Sequence, residues 1–158
     1  MNPCPCGFLG DKDRSCICSQ TQIDRYRAKI SGPLLDRIDM HVEVSRIAYK
    51  ELRIKSNNNE CSQVVKQRVT RARNIQYARN NGKTNAQLNN KEMEQLLNIP
   101  EKHLIMVEKI VEKLKLSARA YHRILKISRT IADLNNSEQV QRDHLLEAIS
   151  YRCLDRAV

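Results

Sequence analysis

Apolar residues recur at steps of three and four over most of this chain, and polar residues between them mark where each helix starts and stops. Ile23, Tyr26 and Ile30 share one face at 20–30, with Asp24, Arg25, Arg27 and Lys29 away from it. Val65, Val69, Ala72 and Ile75 make a stripe within 61–83 that Asn80-Asn-Gly82 stops. Met93, Leu96 and Leu97 face inward on a short helix over 89–98, capped by Asn90 and ended at Ile99-Pro100. Leu104, Val107, Val111 and Leu114 continue the repeat on the next helix. Lys109, Lys113 and Lys115 gather towards its C-terminal end, where the macrodipole favours cations. Ser117 is a good N-cap for a helix through Leu134, with Tyr121, Ile124, Leu125, Ser128, Ile131 and Ala132 inside. Arg119, Arg123, Lys126 and Thr130 form a separate stripe on it. Ser137 opens a last helix on which Val140, Leu145, Ala148, Ile149 and Cys153 pack back.

The period changes to two at one place. Met40, Val42 and Val44 alternate with His41, Glu43 and Ser45, which predicts a half-buried strand. Just before it runs Ser31-Gly-Pro-Leu-Leu-Asp-Arg-Ile-Asp39. Pro33 suits the first turn of a short helix, with Leu34, Leu35 and Ile38 towards a core. Arg37 then stands at the mouth of the strand, either aimed at another molecule or paired with Asp36 or Asp39. Residues 46–60, with Ser56-Asn-Asn-Asn59, read as a connector. The pattern therefore predicts a mainly α chain: residues 1–45 with one or two short strands, a linker at 46–60, and a four-helix lobe at 61–158.

At 158 residues, 41% hydrophobic and 29% charged, the chain can bury one real core or two small ones. Its net charge of +10 favours a polyanionic partner. No Trp and a single Phe leave no rich platform for base stacking. No apolar run approaches the ~20 residues of a membrane span. The first residues hold Pro, Cys and Gly where a secretion signal carries a basic patch and an apolar core, so a cytoplasmic protein is expected. Six cysteines in a reducing compartment are not expected to form disulfides.

Four of those cysteines form two Cys-x-Cys pairs, Cys4 with Cys6 and Cys16 with Cys18, nine residues apart. Four thiolates can close a tetrahedral zinc site, although the step is tighter than the usual Cys-x2-Cys; the alternative is a loop of free cysteines packed as small hydrophobes. No neighbouring His marks a catalytic site, and Cys61 and Cys153 read as core packing. Residues 61–83 hold six basic residues (Lys66, Arg68, Arg71, Arg73, Arg79 and Lys83) and no acid. Such a helix is either a solvated basic face or a contact for nucleic-acid phosphates that is insensitive to base sequence. No G-x-x-x-x-G-K-[ST] sequence is present, so the chain alone is expected not to hydrolyse ATP.

Asn2-Pro-Cys-Pro-Cys-Gly7, the Cys-x-Cys at 16–18, Ser31–Asp39, Leu116-Ser-Ala-Arg-Ala120 and Arg129-Thr-Ile-Ala-Asp-Leu134 occur in this order. Together they resemble the C-terminal part of the magnesium-chelatase-like AAA+ ATPases, closest to the competence protein ComM group, over nearly the whole chain. The resemblance implies the end of an AAA+ core at 1–45 followed by a helical lid. It implies that Arg37 is an arginine finger, Asn2 the sensor-1 residue and Arg119 the sensor-2 residue; Arg123, one turn on, either shares that nucleotide contact or sits in solvent. It further implies Mg²⁺ and ATP as cofactors, a hexameric ring, DNA as the partner in uptake and recombination, and a phosphate-binding loop upstream of this sequence. Two other readings stand beside it: an ATPase subunit for metal insertion into a porphyrin, and a free-standing basic helical module that binds nucleic acid.

Overall fold

The computed structural model describes residues 1–11, 13–44 and 60–152. The α-helices are α1 (Gln20–Arg27), α2 (Gly32–Leu35), α3 (Ser62–Arg79), α4 (Asn90–Leu96), α5 (Glu101–Lys113), α6 (Ala118–Leu134) and α7 (Arg142–Ser150), with a 3-10 turn at Asn85–Gln87. The chain is mainly helical, as the apolar periods predict. Among the described residues no strand forms, and no helix is long and apolar enough to cross a membrane. The described residues divide into two compact units, 1–38 with 42–44, and 39–41 with 60–152. Ser45, most of the expected connector and Cys153 lie outside the described residues.

In the larger unit α6 is the central element and packs against α3, α5, α7 and the 3-10 turn. Its inner face joins Leu88, Met93, Leu97, Val107, Val140, Leu145, Ala148 and Ile149 in one core with Ile124, Leu125, Ile131 and Ala132. Each large side chain fully buried there contributes about 1.5–3 kcal/mol. Helix ends follow local chemistry. The Ser117 hydroxyl accepts from the Ala120 N–H at 3.1 Å. Gly82, at φ +82°, lets its N–H reach back to the Tyr77 carbonyl at 2.8 Å and close α3.

Several expectations are corrected. Five α-helices, not four, lie in 60–152: the short helix expected over 89–98 forms as α4 and makes the fifth. Its cap is Asn89 rather than Asn90: Asn89 Oδ1 accepts from the Glu92 N–H at 3.0 Å, and Glu92 answers through the Asn89 N–H at 2.9 Å. The last helix starts at Arg142, not Ser137, because a Gln141–His144 capping box sets its first turn. The stripe on α3 is only partly buried: Ala72 is covered, whereas Val69 is 44% exposed.

The strand expected at 40–44 fails in an instructive way. Val42 and Val44 are 65% and 88% exposed, while His41, assigned to the polar side, is buried. The His41 N–H donates to the Tyr151 carbonyl at 2.7 Å, which turns His41 rather than its neighbours inward. With no ladder partner among the described residues, alternation alone makes no strand. Leu34 and Ile38 are likewise exposed, at 49% and 39%, because the single turn of α2 covers little surface.

Candidate functional site

In the smaller unit, α2 follows Ser31 with Pro33 in its first turn. Helical bonding continues past Asp36: Arg37 N–H donates to Leu34 O and Ile38 N–H to Leu35 O, each at 3.0 Å. Arg37 is exposed at the end of this turn, with no side-chain partner among the described residues. Of the two acids that Arg37 could pair with, Asp39 has Arg123 beside its Oδ1. Asn2 is also exposed. Gly7 lies beside it, and a Cβ added at Gly7 would come 3.6 Å from Asn2 Nδ2. Arg27 Nε, from α1, donates to the Pro3 carbonyl at 3.3 Å and ties that first segment down.

The four cysteines of the two Cys-x-Cys pairs meet. All four Sγ atoms lie within 4.8 Å of one another. Cys4 is 3.4 Å from Cys6 and 3.6 Å from Cys16, and Cys6 is 3.6 Å from Cys16. The Phe8 and Ile17 amides donate to Cys6 and outweigh burial, lowering its pKa to about 6. At Cys16 the Cys18 amide favours the thiolate, but burial and the Cys6 and Cys4 thiols push the group up to about 12. Four soft donors facing one point can hold a metal ion.

In the larger unit, Arg119 is exposed in the first turn of α6, where the helix dipole favours an anion. Arg123, one turn on, is half-buried, and its Nη1 lies 2.6 Å from Asp39 Oδ1. Both partners of that pair belong to the larger unit. The sequence offered Asp39 as a partner for Arg37, and its partner here is Arg123.

The basic residues of α3 separate into three kinds. Lys66, Arg71 and Arg73 are exposed, with no acidic partner among the described residues. Arg68 binds Glu60 in a two-bond fork of 2.9 and 3.1 Å; that acid sits one residue before the window that contains none. Arg79 points inward, to Asp133 at 2.6 and 3.0 Å and to Asn85 at 2.7 Å. It is therefore removed from the basic face that the sequence assigned to it. Asp133 also accepts from Arg129 Nε at 3.0 Å and from Asn85 Nδ2 at 2.9 Å. Arg129 and Asp133 stand four residues apart on α6, a spacing from which their pairing was readable.

A family model described as magnesium chelatase, subunit ChlI C-terminal, matches residues 59–152, and one described as magnesium chelatase, subunit ChlI, matches residues 1–52. The chain is 44% identical over 157 residues to competence protein ComM of Haemophilus influenzae. It is 40% identical over 157 residues to YifB of Escherichia coli. A Mycobacterium bovis protein, Mb2921c, shares 30% identity over 154 residues. These matches cover 96–99% of the chain but only 30% of each relative, so the chain spans less than a third of their length.

Proposed function

The chain belongs to the magnesium chelatase subunit ChlI family, and on that premise we propose that it forms the arginine-finger segment and helical lid of an AAA+ ring ATPase acting on DNA. The observation that carries this reading is Arg37, exposed and without a side-chain partner among the described residues, at the end of the one helical turn in the family segment. A guanidinium keeps its charge at any physiological pH and binds two phosphate oxygens in one fork. In a hexamer Arg37 would enter the neighbouring copy's nucleotide site and stabilise charge developing on the transferred phosphoryl group. Asn2 would orient the attacking water, and Arg119 would hold the phosphates from the lid. Arg123 is engaged with Asp39 and would reach nucleotide only on leaving it. ATP with Mg²⁺ supplies the phosphoryl group, and in this proposal the phosphate cradle belongs to the part of the longer relatives that this chain does not span.

Lys66, Arg71 and Arg73 give α3 a face that suits a nucleic-acid backbone, because no carboxylate among the described residues pairs with them. The match to a protein named for competence favours DNA; the family's magnesium-chelatase name keeps porphyrin metalation as the second reading. The test uses the full-length protein, expected in the cytoplasm. Arg37→Ala should lower ATP hydrolysis by ~10³-fold or more with nucleotide affinity kept. Mixing it with subunits defective in their own phosphate loop should restore activity at mixed interfaces. Unchanged hydrolysis in Arg37→Ala sinks the finger assignment. Stimulation by a porphyrin but not by DNA selects the second reading.

A further inference from the structure

We propose that Cys4, Cys6, Cys16 and Cys18 bind one zinc ion in a closed tetrathiolate site that holds the N-terminal unit together. Four ligands at ~2.3 Å from a tetrahedral zinc lie about 3.8 Å from one another. The separations of 3.4, 3.6 and 3.6 Å among Cys4, Cys6 and Cys16 are close to that edge, and Cys18 completes the group within 4.8 Å. A disulfide needs ~2.05 Å, and all four cysteines are free. The set has room for a single ion at its centre. No His and no open ligand position belongs to it, so the site has no place to activate water.

The backbone is arranged for thiolates. Cys4 receives the amides of Leu9 and Gly7, Cys6 those of Phe8 and Ile17, Cys16 that of Cys18, and Cys18 that of Cys6. Amides beside the sulfurs favour the thiolate form, as the second layer around metal ligands does. Gly7 makes the first pair converge. At φ +82° it closes a turn in which its N–H reaches the Cys4 carbonyl at 3.1 Å. Asp11 Oδ1 accepts from the Asp13 and Arg14 amides at 2.8 and 3.2 Å and brings the second pair back. Zinc binding then releases up to four thiol protons to solvent and leaves a net charge of −2. Arg25 of α1 and Lys29, just beyond its end, line the cleft beside Cys6 and Cys18 and offset it.

The burial pattern supplies an independent reason. Among the described residues of the smaller unit, only Cys4 and Ile23 are buried. Two side chains cannot offset the conformational entropy of ordering such a segment, and small units short of a core rely on metals or disulfides. The most buried group of the unit is itself one of the four ligands.

The whole 158-residue chain, purified under reducing conditions without chelator, should contain one zinc per molecule by mass spectrometry. Cys6→Ser and Cys16→Ser should lose it, and Cys61→Ser should keep it. Should the serine variants fail to fold, titration of the wild-type chain with Co²⁺ gives the answer: tetrahedral thiolate coordination produces intense sulfur-to-cobalt charge-transfer bands. Chelation should open residues 1–38 to limited proteolysis while 60–152 resist. Absence of both stoichiometric zinc and the cobalt spectrum overturns the site. Iron at the same sulfurs overturns the identity of the ion. Unchanged protease resistance after metal removal overturns its structural role.

Discussion

Asp133→Asn tests whether the charged cluster beneath α6 is a structural keystone. The Asp133 carboxylate accepts four hydrogen bonds, two from Arg79, one from Arg129 and one from Asn85. Asp133 and Arg129 are each 1% exposed. A surface ion pair contributes ~0–1 kcal/mol, whereas removing one partner of a buried pair costs ~3–5 kcal/mol because the remaining charge is stranded. Here two guanidinium groups would be left facing a neutral amide. Stability of ~0.05–0.15 kcal/mol per residue gives a unit of this size roughly 5–14 kcal/mol, so the substitution removes a large share. At ~4–8 °C per kcal/mol, Tm should fall by at least about 12 °C. Urea and thermal denaturation followed by far-ultraviolet circular dichroism measure it. A double-mutant cycle with Arg79→Ala should show coupling above ~1 kcal/mol. A loss below ~1 kcal/mol in Asp133→Asn would refute the reasoning, since it would mean that water already screens the cluster.

The remaining expectations are briefer. Arg71→Gln and Arg73→Gln should each reduce the salt dependence of duplex DNA binding by about 0.9 in the log–log slope, read by fluorescence anisotropy across ionic strengths; unchanged slopes remove α3 from the DNA interface. Leu145→Ala, at a fully buried position in the α6–α7 core, should cost ~2–5 kcal/mol in the same denaturation assay. Burial, followed by the charge of Arg129, holds His144 below its usual pKa of 6.5. Its contribution is therefore complete above the unfolded value and is lost as pH falls below it, because the unfolded chain takes up the proton first. The fall in Tm between about pH 8 and 5 should be smaller in His144→Gln, and an identical slope in both proteins would contradict this linkage.

Helices of the larger unit were legible in the sequence because each has a long apolar period and a polar end signal. Ser117, Asn80 and Gly82 acted where their chemistry said they would. Boundaries failed where two signals competed. Asn89 and Asn90 both suit a cap, and Glu92 chooses Asn89 by lying three residues on. Ser137 resembles a start, but the carbonyls that follow it are recruited by Arg129, which donates to Ser137 O and Glu138 O. The Met40–Val44 alternation misled because a period of two reports a strand only when a neighbouring strand completes it. Convergence of the four cysteines was half legible: the pairs were visible, but their meeting depends on the turns at Gly7 and Asp11.

Counting arginines in a sequence treats every charge as available, and desolvation sorts them. Arg79 and Arg129 converge on a carboxylate with no exposed surface, and turning either outward would strand it. Arg123 is engaged with Asp39, whose own side chain is largely open to water, so that tie is weak enough to exchange. Arg37, Lys66, Arg71 and Arg73 have no such partner among the described residues, and an incoming phosphate meets no internal competitor there. The net charge of +10 thus overstates what a polyanion can use. The arginines fixed inside tie α3, α6 and the 3-10 turn together, and under the proposed function that packing would let Arg119, in the first turn of the same helix, present its charge at one place.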